Sequence, residues 1–282
     1  MGKNYGVPYK GSKQKIAREI IDQMPPARNF FDLFAGGCAV AHAAMESGKY
    51  EHVYVNDLDW RGPTLFADAI AGRYRDESRW ISREDFARLK DTDAYVALCW
   101  SFGNNERDYL YAREIEPYKH AVHAMLFAST IQERHVLYGS CVRELAKASD
   151  KSLRSLRRLQ SLESLERLQS LQSLQPPTVS AQDYRMIEIL PDSAIYCDIP
   201  YKDTNVYNVG EFDYNAFYMW ASAQEQPVFI SEYAMPDGFR EIWRREKRCT
   251  LAAANNAKST IERLYVPQHQ YQPCGELSAL VS

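Results

Sequence analysis

Apolar residues gather in short runs at both ends of the chain and spread out at helical spacing through its middle. Val7-Pro8-Tyr9-Lys10-Gly11-Ser12-Lys13 reads as an extended stretch entering a loop. From Gln14 to Met24 apolar and charged residues alternate at helical spacing, and Pro25-Pro26 stops the helix. Asn29 to Phe34 is a compact apolar run of strand length, Gly36-Gly37 a turn, and Ala39 to Ser47 a helix of small residues closed by Gly48. His52-Val53-Tyr54-Val55-Asn56-Asp57 then alternates as a strand. Strand, glycine turn, helix and strand predict one right-handed unit of a parallel sheet.

From Trp60 to about Ala148 the pattern is mainly helical, broken by the turn-rich loop Ser101-Phe102-Gly103-Asn104-Asn105. Asp183 to Leu190 reads as a short strand or hairpin arm. Ala194-Ile195-Tyr196-Cys197 is a buried strand, Pro227 to Tyr233 another, and Ile261 to Val266 a late one. The predicted fold is therefore α/β, with a sheet domain built from residues 1–60 and 183–282 and a mainly helical region, 61–182, inserted into it. Within the insertion Leu153, Leu156, Leu159, Leu162, Leu165, Leu168, Leu171 and Leu174 recur at strict intervals of three. An α-helix turns every 3.6 residues, so this spacing walks leucines around the cylinder. A 3₁₀ run or polyproline II geometry would align them, whereas propensity favours an α-helix with a spiralling stripe. Pro176-Pro177 ends the segment.

Hydrophobic residues make up 45% and charged residues 25% of the chain, the balance of a globular protein rather than a disordered one. No apolar run reaches membrane-spanning length and the first six residues hold no apolar signal core, so the expectation is a cytoplasmic protein with no membrane contact. Six scattered cysteines, with no C-x-x-C pair and no histidine cluster, predict no structural metal. The net charge of −3 does not advertise nucleic acid, but its distribution is uneven. Residues 1–18 carry five cations and no acid. Residues 134–158 carry seven cations against two acids, a net of +5, and Arg240 to Arg248 carry five against two. By themselves such runs read as solvated helix faces.

The strand ending at Cys197 runs into Asp198-Ile199-Pro200-Tyr201, an acid, a fixed turn and an aromatic ring. Ligands of open α/β sheets gather beyond the carboxyl ends of the strands, where such a group suits a flat, amine-bearing ring. The same residues also suit a plain strand exit with Asp198 as a cap.

Phe31-Asp32-Leu33-Phe34-Ala35-Gly36-Gly37-Cys38 resembles the cofactor-binding strand and turn of S-adenosylmethionine-dependent methyltransferases, with Cys38 standing where the pattern F-x-G-x-G has its second glycine. Asp57 ends the second strand, placed either to accept ribose hydroxyls or to cap the next helix. No G-x-G-x-x-G cradle is present, which disfavours a pyrophosphate cofactor. With these in place, Asp198 to Tyr201 resembles the D/N-P-P-Y/F motif of amino-methylating enzymes. Tyr9-Lys10-Gly11-Ser12-Lys13 resembles the lysine motif of the D12-type, or alpha-group, DNA adenine-N6 methyltransferases. The motifs follow in that family's order, with the insertion where it keeps its target-recognition region.

The resemblance implies a Rossmann-like methyltransferase sheet and S-adenosyl-L-methionine held by Tyr9, Lys10, Lys13, Asp32, Phe34, Ala35, Gly36, Gly37, Asp57 and Asp198. It implies a catalytic clamp of Asp198, Ile199, Pro200 and Tyr201. Asp198 and the carbonyl of residue 199 would accept the two N–H bonds of a flipped adenine, while Tyr201 stacks on its ring. Ile199 departs from the family's proline: its carbonyl remains, but proline's rigidity does not. The implied partner is double-stranded DNA. Arg134, Arg143, Lys147 and Lys151 would lie on phosphates, and Asn104 and Asn105 would either read adenine edges or simply cap their turn. A cognate restriction endonuclease is a candidate partner, and a monomer is the expected state. Methylation of an RNA base or a protein amide, and a catalytically impaired relative, stand as alternatives.

Overall fold

The computed structural model describes residues 4–146, 159–201, 212–248 and 259–271. Contacts divide the chain into two compact units, Met1–Tyr5 with Lys13–Trp60 and Pro177–Ser282, and Gly6–Ser12 with Arg61–Pro176.

The first unit is built on seven strands: β1 (Asn29–Asp32), β2 (His52–Asn56), β3 (Thr178–Ser180), β4 (Ser193–Cys197), β5 (Val228–Ser231), β6 (Phe239–Arg248) and β7 (Ser259–Pro267). Their order is β3-β2-β1-β4-β5-β7-β6. β3, β2, β1, β4 and β5 run parallel, and β7 lies antiparallel to both of its neighbours. β1, β4 and β5 are buried along their whole lengths, which is why they read as unbroken apolar runs rather than as alternating ones. Successive side chains nevertheless point to opposite faces. Phe31, Leu33, Ile195, Cys197 and Ile230 pack with Phe217 and Ala221 of a helix that spans Tyr214–Ser222. Two helices near the N-terminus, α1 (Ala17–Asp22) and α2 (Ala39–Ser47), pack on one another, and α2 also packs on β1 and β2. α2 ends at Gly48 in the left-handed conformation, φ 69°, where a side chain would be strained.

Two expectations are corrected here. Asp183 to Leu190 holds no strand: Asp183 accepts the N–H of Arg185 and caps a 3₁₀ turn, Tyr184–Met186, while the strand that joins the sheet is β3, paired with β2 just before it. The cations of Arg240 to Arg248 lie on no helix. They belong to β6, the sheet's edge, whose pairing with β7 is irregular between Glu241 and Trp243. Charge along an exposed edge discourages pairing with another chain.

The second unit is helical: α3 (Arg61–Ile70), α4 (Arg83–Leu89), α5 (Ala94–Cys99), α6 (Glu116–Leu126), α7 (Ile131–Leu145) and α8 (Gln160–Gln169), so the Tyr214–Ser222 helix of the first unit is α9. Leu153 and Leu156 lie outside the described residues. Of the described part of the leucine repeat, Leu162, Leu165 and Leu168 lie on the α-helix Gln160–Gln169, and Leu171 lies in the turn that follows it. On that helix Leu165 and Leu168 are buried while Leu162 lies only partly covered, as the drift of a three-residue repeat around a 3.6-residue turn allows, and Leu171 is buried beyond its end. Arg167 of α8 donates to the Gly6 carbonyl at 2.7 Å and Val7 is fully buried, which ties residues 6–12 to this unit. Among the described residues no helix is long and apolar enough to cross a membrane.

Candidate active site

Three neighbouring strands bring an acid to the carboxyl edge of the sheet. In the parallel register Asp32 lies opposite Val55 on β2 and opposite Tyr196 on β4, so Asp57 and Asp198 each follow two residues beyond that level. Asp32 is 1% exposed, and its Oδ2 accepts the N–H of Ala41 in the first turn of α2. Such N–H groups and the helix dipole favour an anion at that end. Its Oδ1 is buried and makes no hydrogen bond within the protein. Burial, followed by the nearby charge of Asp198, pushes the Asp32 carboxyl well above the usual range.

The turn after β1 is shaped by its backbone. Gly36 has φ 47° and its N–H donates to Asp57 Oδ2 at 2.8 Å, while Asp57 Oδ1 accepts the Asp59 N–H. Each Asp57 oxygen keeps a second lone pair for a ligand hydroxyl. Burial raises this carboxyl to about 6. Cys38, fully buried, sits at φ 55° as the N-terminal flank of α2. The left-handed conformation that favours glycine is thus kept at this position although glycine is not. Phe34 packs against Tyr184, Phe212 and Phe217 with ring centroids 5.2, 5.7 and 5.8 Å apart, giving the turn an aromatic flank.

Around Asp198 the structure gathers more side chains than the motif alone names. Ile199 is 2% exposed and packs in the α9-side core. The Pro200 carbonyl accepts the Tyr214 hydroxyl at 2.9 Å, and the Tyr201 hydroxyl donates to Glu262 Oε2 at 2.9 Å. Lys13, expected among the cofactor ligands, donates instead to both Asp198 oxygens at 2.6 and 2.7 Å. The same ammonium lies 4.7 Å from the Tyr201 ring centroid and 3.8 Å from Glu262 Oε2. Burial works against the Lys13 charge, but Asp198 and then Glu262 more than offset it and hold the ammonium above its ordinary value. Burial pushes the Asp198 carboxyl up and Lys13 pulls it back, and the two-pronged geometry favours the ionised pair.

Glu262, 4% exposed, was missing from the candidate residues. It reaches the edge because β7 runs against β5: Ser231 lies opposite Leu264, so residues earlier in β7 face the chain leaving β5. Tyr233 joins from that exit, its ring 4.4 Å from that of Tyr201. Tyr9 and Lys10 fall in the second unit, whereas Lys13 falls in the first. The Asn104 amide donates to the Leu98 carbonyl. Asn105 accepts the N–H groups of Arg107 and Asp108 and donates to the Asp108 carboxylate, so both asparagines serve their own loop. Arg134 and Arg143 are exposed on α7, and Lys147 and Lys151 lie outside the described residues.

A buried carboxylate oxygen without a donor, two further acids on neighbouring strands and a glycine turn fit a ligand carrying positive charge and vicinal hydroxyls, which is the chemistry of S-adenosylmethionine. With the strand order β3-β2-β1-β4-β5-β7-β6 and the antiparallel β7, the sheet and site define an S-adenosylmethionine-dependent methyltransferase. Residues 9–229 match the family of D12 class N6 adenine-specific DNA methyltransferases, and the chain belongs to that family. A search of curated proteins found no match. The activity of the family is methylation of adenine N6 in DNA, and S-adenosylmethionine is the methyl donor.

Proposed function

We propose that Asp198, Ile199, Pro200 and Tyr201 clamp the adenine to be methylated, on the strength of one observation: the Lys13 ammonium already occupies both the Asp198 acceptors and a position by the Tyr201 ring. A group with N–H donors, set beside the Tyr201 ring and bonded to Asp198, is what this site selects. An adenine extruded from the duplex presents such donors on its exocyclic amine. Asp198 accepts one N6–H bond and the Ile199 carbonyl the other, freeing the nitrogen lone pair from the ring. S-adenosylmethionine, when bound, supplies a methyl group on a sulfonium that departs with the bonding electron pair. As the new N–C bond forms, Asp198 stabilises the positive charge growing on N6 and takes the proton that N6 then sheds. Asp57 receives the ribose hydroxyls, Asp32 and the Gly36-Gly37 turn face the methionine end, and Phe34 flanks the adenosyl ring.

Duplex DNA is proposed to lie against α7. Helix α7 is firmly started, with Thr130 accepting the Glu133 N–H and Glu133 reaching back to the Ser129 N–H. Apart from Cys141, however, its side chains are exposed or only partly covered. Arg134 and Arg143 project from it, and they fit phosphates. Phe102, 66% exposed in the loop before α6, offers an apolar wedge for base extrusion.

The test is transfer of labelled methyl groups from S-adenosylmethionine to duplex DNA. Asp198→Ala should lower the rate by about 100-fold or more, the usual cost of removing a group that stabilises developing charge. Undiminished transfer in that variant, or cofactor binding with no labelled DNA from the wild type, would sink the reading.

A further inference from the structure

We propose that Glu262 is the second station of Lys13: it receives the ammonium when the substrate amine claims Asp198, and it fixes the Tyr201 ring throughout. This rests on the clamp assigned above. Lys13 and Asp198 cannot be separated cheaply, because their side chains are 5% and 23% exposed and a buried charge left alone costs several kcal/mol. An incoming adenine amine is neutral, so it replaces the ammonium's hydrogen bonds at Asp198 but not its charge. The ammonium must therefore move, yet stay close.

Glu262 satisfies both demands. Its Oε2 lies 3.8 Å from Lys13 Nζ, and its side chain is 6% exposed. A charge-assisted hydrogen bond is about 2.8 Å long, so a shift of about 1 Å completes the second pair. The lysine backbone need not follow, since its carbonyl is already held by the N–H groups of Ile16 and Ala17 at the start of α1. Asp198 is the most exposed of the three charged side chains, which leaves it the one an entering ligand can reach. Throughout the exchange Tyr201 keeps its hydroxyl on the same Glu262 oxygen, so the stacking ring stays in place. The charges Lys13⁺, Asp198⁻ and Glu262⁻ are unchanged in number before and after base entry, and only the pairing alters. Glu262 is on this account a positioning residue that acts through Lys13 and Tyr201.

The direct test is the crystal structure of Asp198→Asn, which removes the first station and leaves the second. Lys13 Nζ should then lie within hydrogen-bond distance of Glu262. If it remains bonded to residue 198 or turns toward solvent, the hand-over is wrong. A kinetic test uses Glu262→Gln, whose amide oxygen can still receive the Tyr201 hydroxyl but carries no charge to hold the ammonium. KM for duplex DNA should rise about tenfold with kcat within about twofold, the mark of impaired substrate entry rather than lost chemistry. In the Lys13→Met background the same substitution should change KM little, because the competing cation is gone, and a purely structural role would instead give additive losses. An unchanged KM in Glu262→Gln, or equal losses in both backgrounds, would overturn the proposal. Should the wild type fail to methylate DNA, the clamp assignment falls, while the crystal structure still decides the hand-over.

Discussion

Within the proposed clamp, Ile199 stands where the family has proline and supports the backbone by a different physical route. Proline would hold the backbone through its ring, whereas Ile199 holds it by burial, at 2% exposure among Phe217, Val228 and Ile230. With Pro200 anchored by Tyr214, the proposed clamp is held on both sides of its turn. Ile199→Ala should therefore destabilise the protein by about 2–4 kcal/mol in urea unfolding and lower kcat as well, since the carbonyl it carries loses its support. Loss of stability with an unchanged kcat would confine Ile199 to the core. At Asp57 burial lifts the carboxyl from 3.8 to about 6, so between those values the folded protein binds more protons than the unfolded chain. Stability from this group is present below pH 4 and declines as pH rises toward 6. With Asp57 receiving the ribose hydroxyls as proposed, cofactor affinity runs the other way, because the ionised form is the acceptor. Calorimetric titration should show S-adenosylmethionine affinity falling about tenfold per pH unit below 6, and Asp57→Asn should remove that slope. Asp57 and Asp198 were legible because each follows an apolar run at a strand's carboxyl end. Glu262 was not, since it meets Tyr201 from 61 residues away through an antiparallel pairing that no local spacing records.

At the scale of elements, strands buried on both faces announced themselves and edge strands did not. β1, β2, β4 and β5 lie where their apolar runs placed them, and α2 matches its expected span. β6 was hidden because an edge strand tolerates charge at most positions, so its sequence resembles a solvated helix. The turn after β1 carries a second lesson. Cys38 keeps a left-handed backbone at φ 55°, a conformation costing a side-chain-bearing residue about 1–2 kcal/mol, so surrounding packing rather than local preference holds it. The leucine repeat was ambiguous because its period of three suits a 3₁₀ or polyproline II helix while its residue types favour an α-helix, and over Gln160–Gln169 the α-helix won. Burial along α8 is unequal, which gives a clean comparison. Leu168→Ala, at a fully buried site, should cost about 2–5 kcal/mol in denaturant unfolding, and Leu162→Ala clearly less. Equal costs would mean that the helix packs differently.

For the molecule as a whole, a net charge of −3 conceals a division of labour. The acids gathered at the proposed site, Asp32, Asp57, Asp198 and Glu262, all lie in the sheet unit, and burial raises the carboxyl groups of the first three. Such a cluster repels a phosphate backbone, so DNA must be held by charge placed elsewhere. On the proposed reading the helical unit supplies it on α7, where the Glu133 side chain is occupied in starting the helix and Arg134 stands exposed beside it. Phosphate contacts add affinity in proportion to the counterions they release, without reference to sequence. Replacing Arg134 and Arg143 together by alanine should therefore weaken binding to all duplexes alike and reduce the slope of log affinity against log salt by about 2. Methyl transfer at saturating DNA should be untouched, because neither arginine belongs to the clamp. If the salt slope keeps its wild-type value, the duplex lies against some other face; if affinity falls for one sequence and not for others, α7 reads bases rather than phosphates.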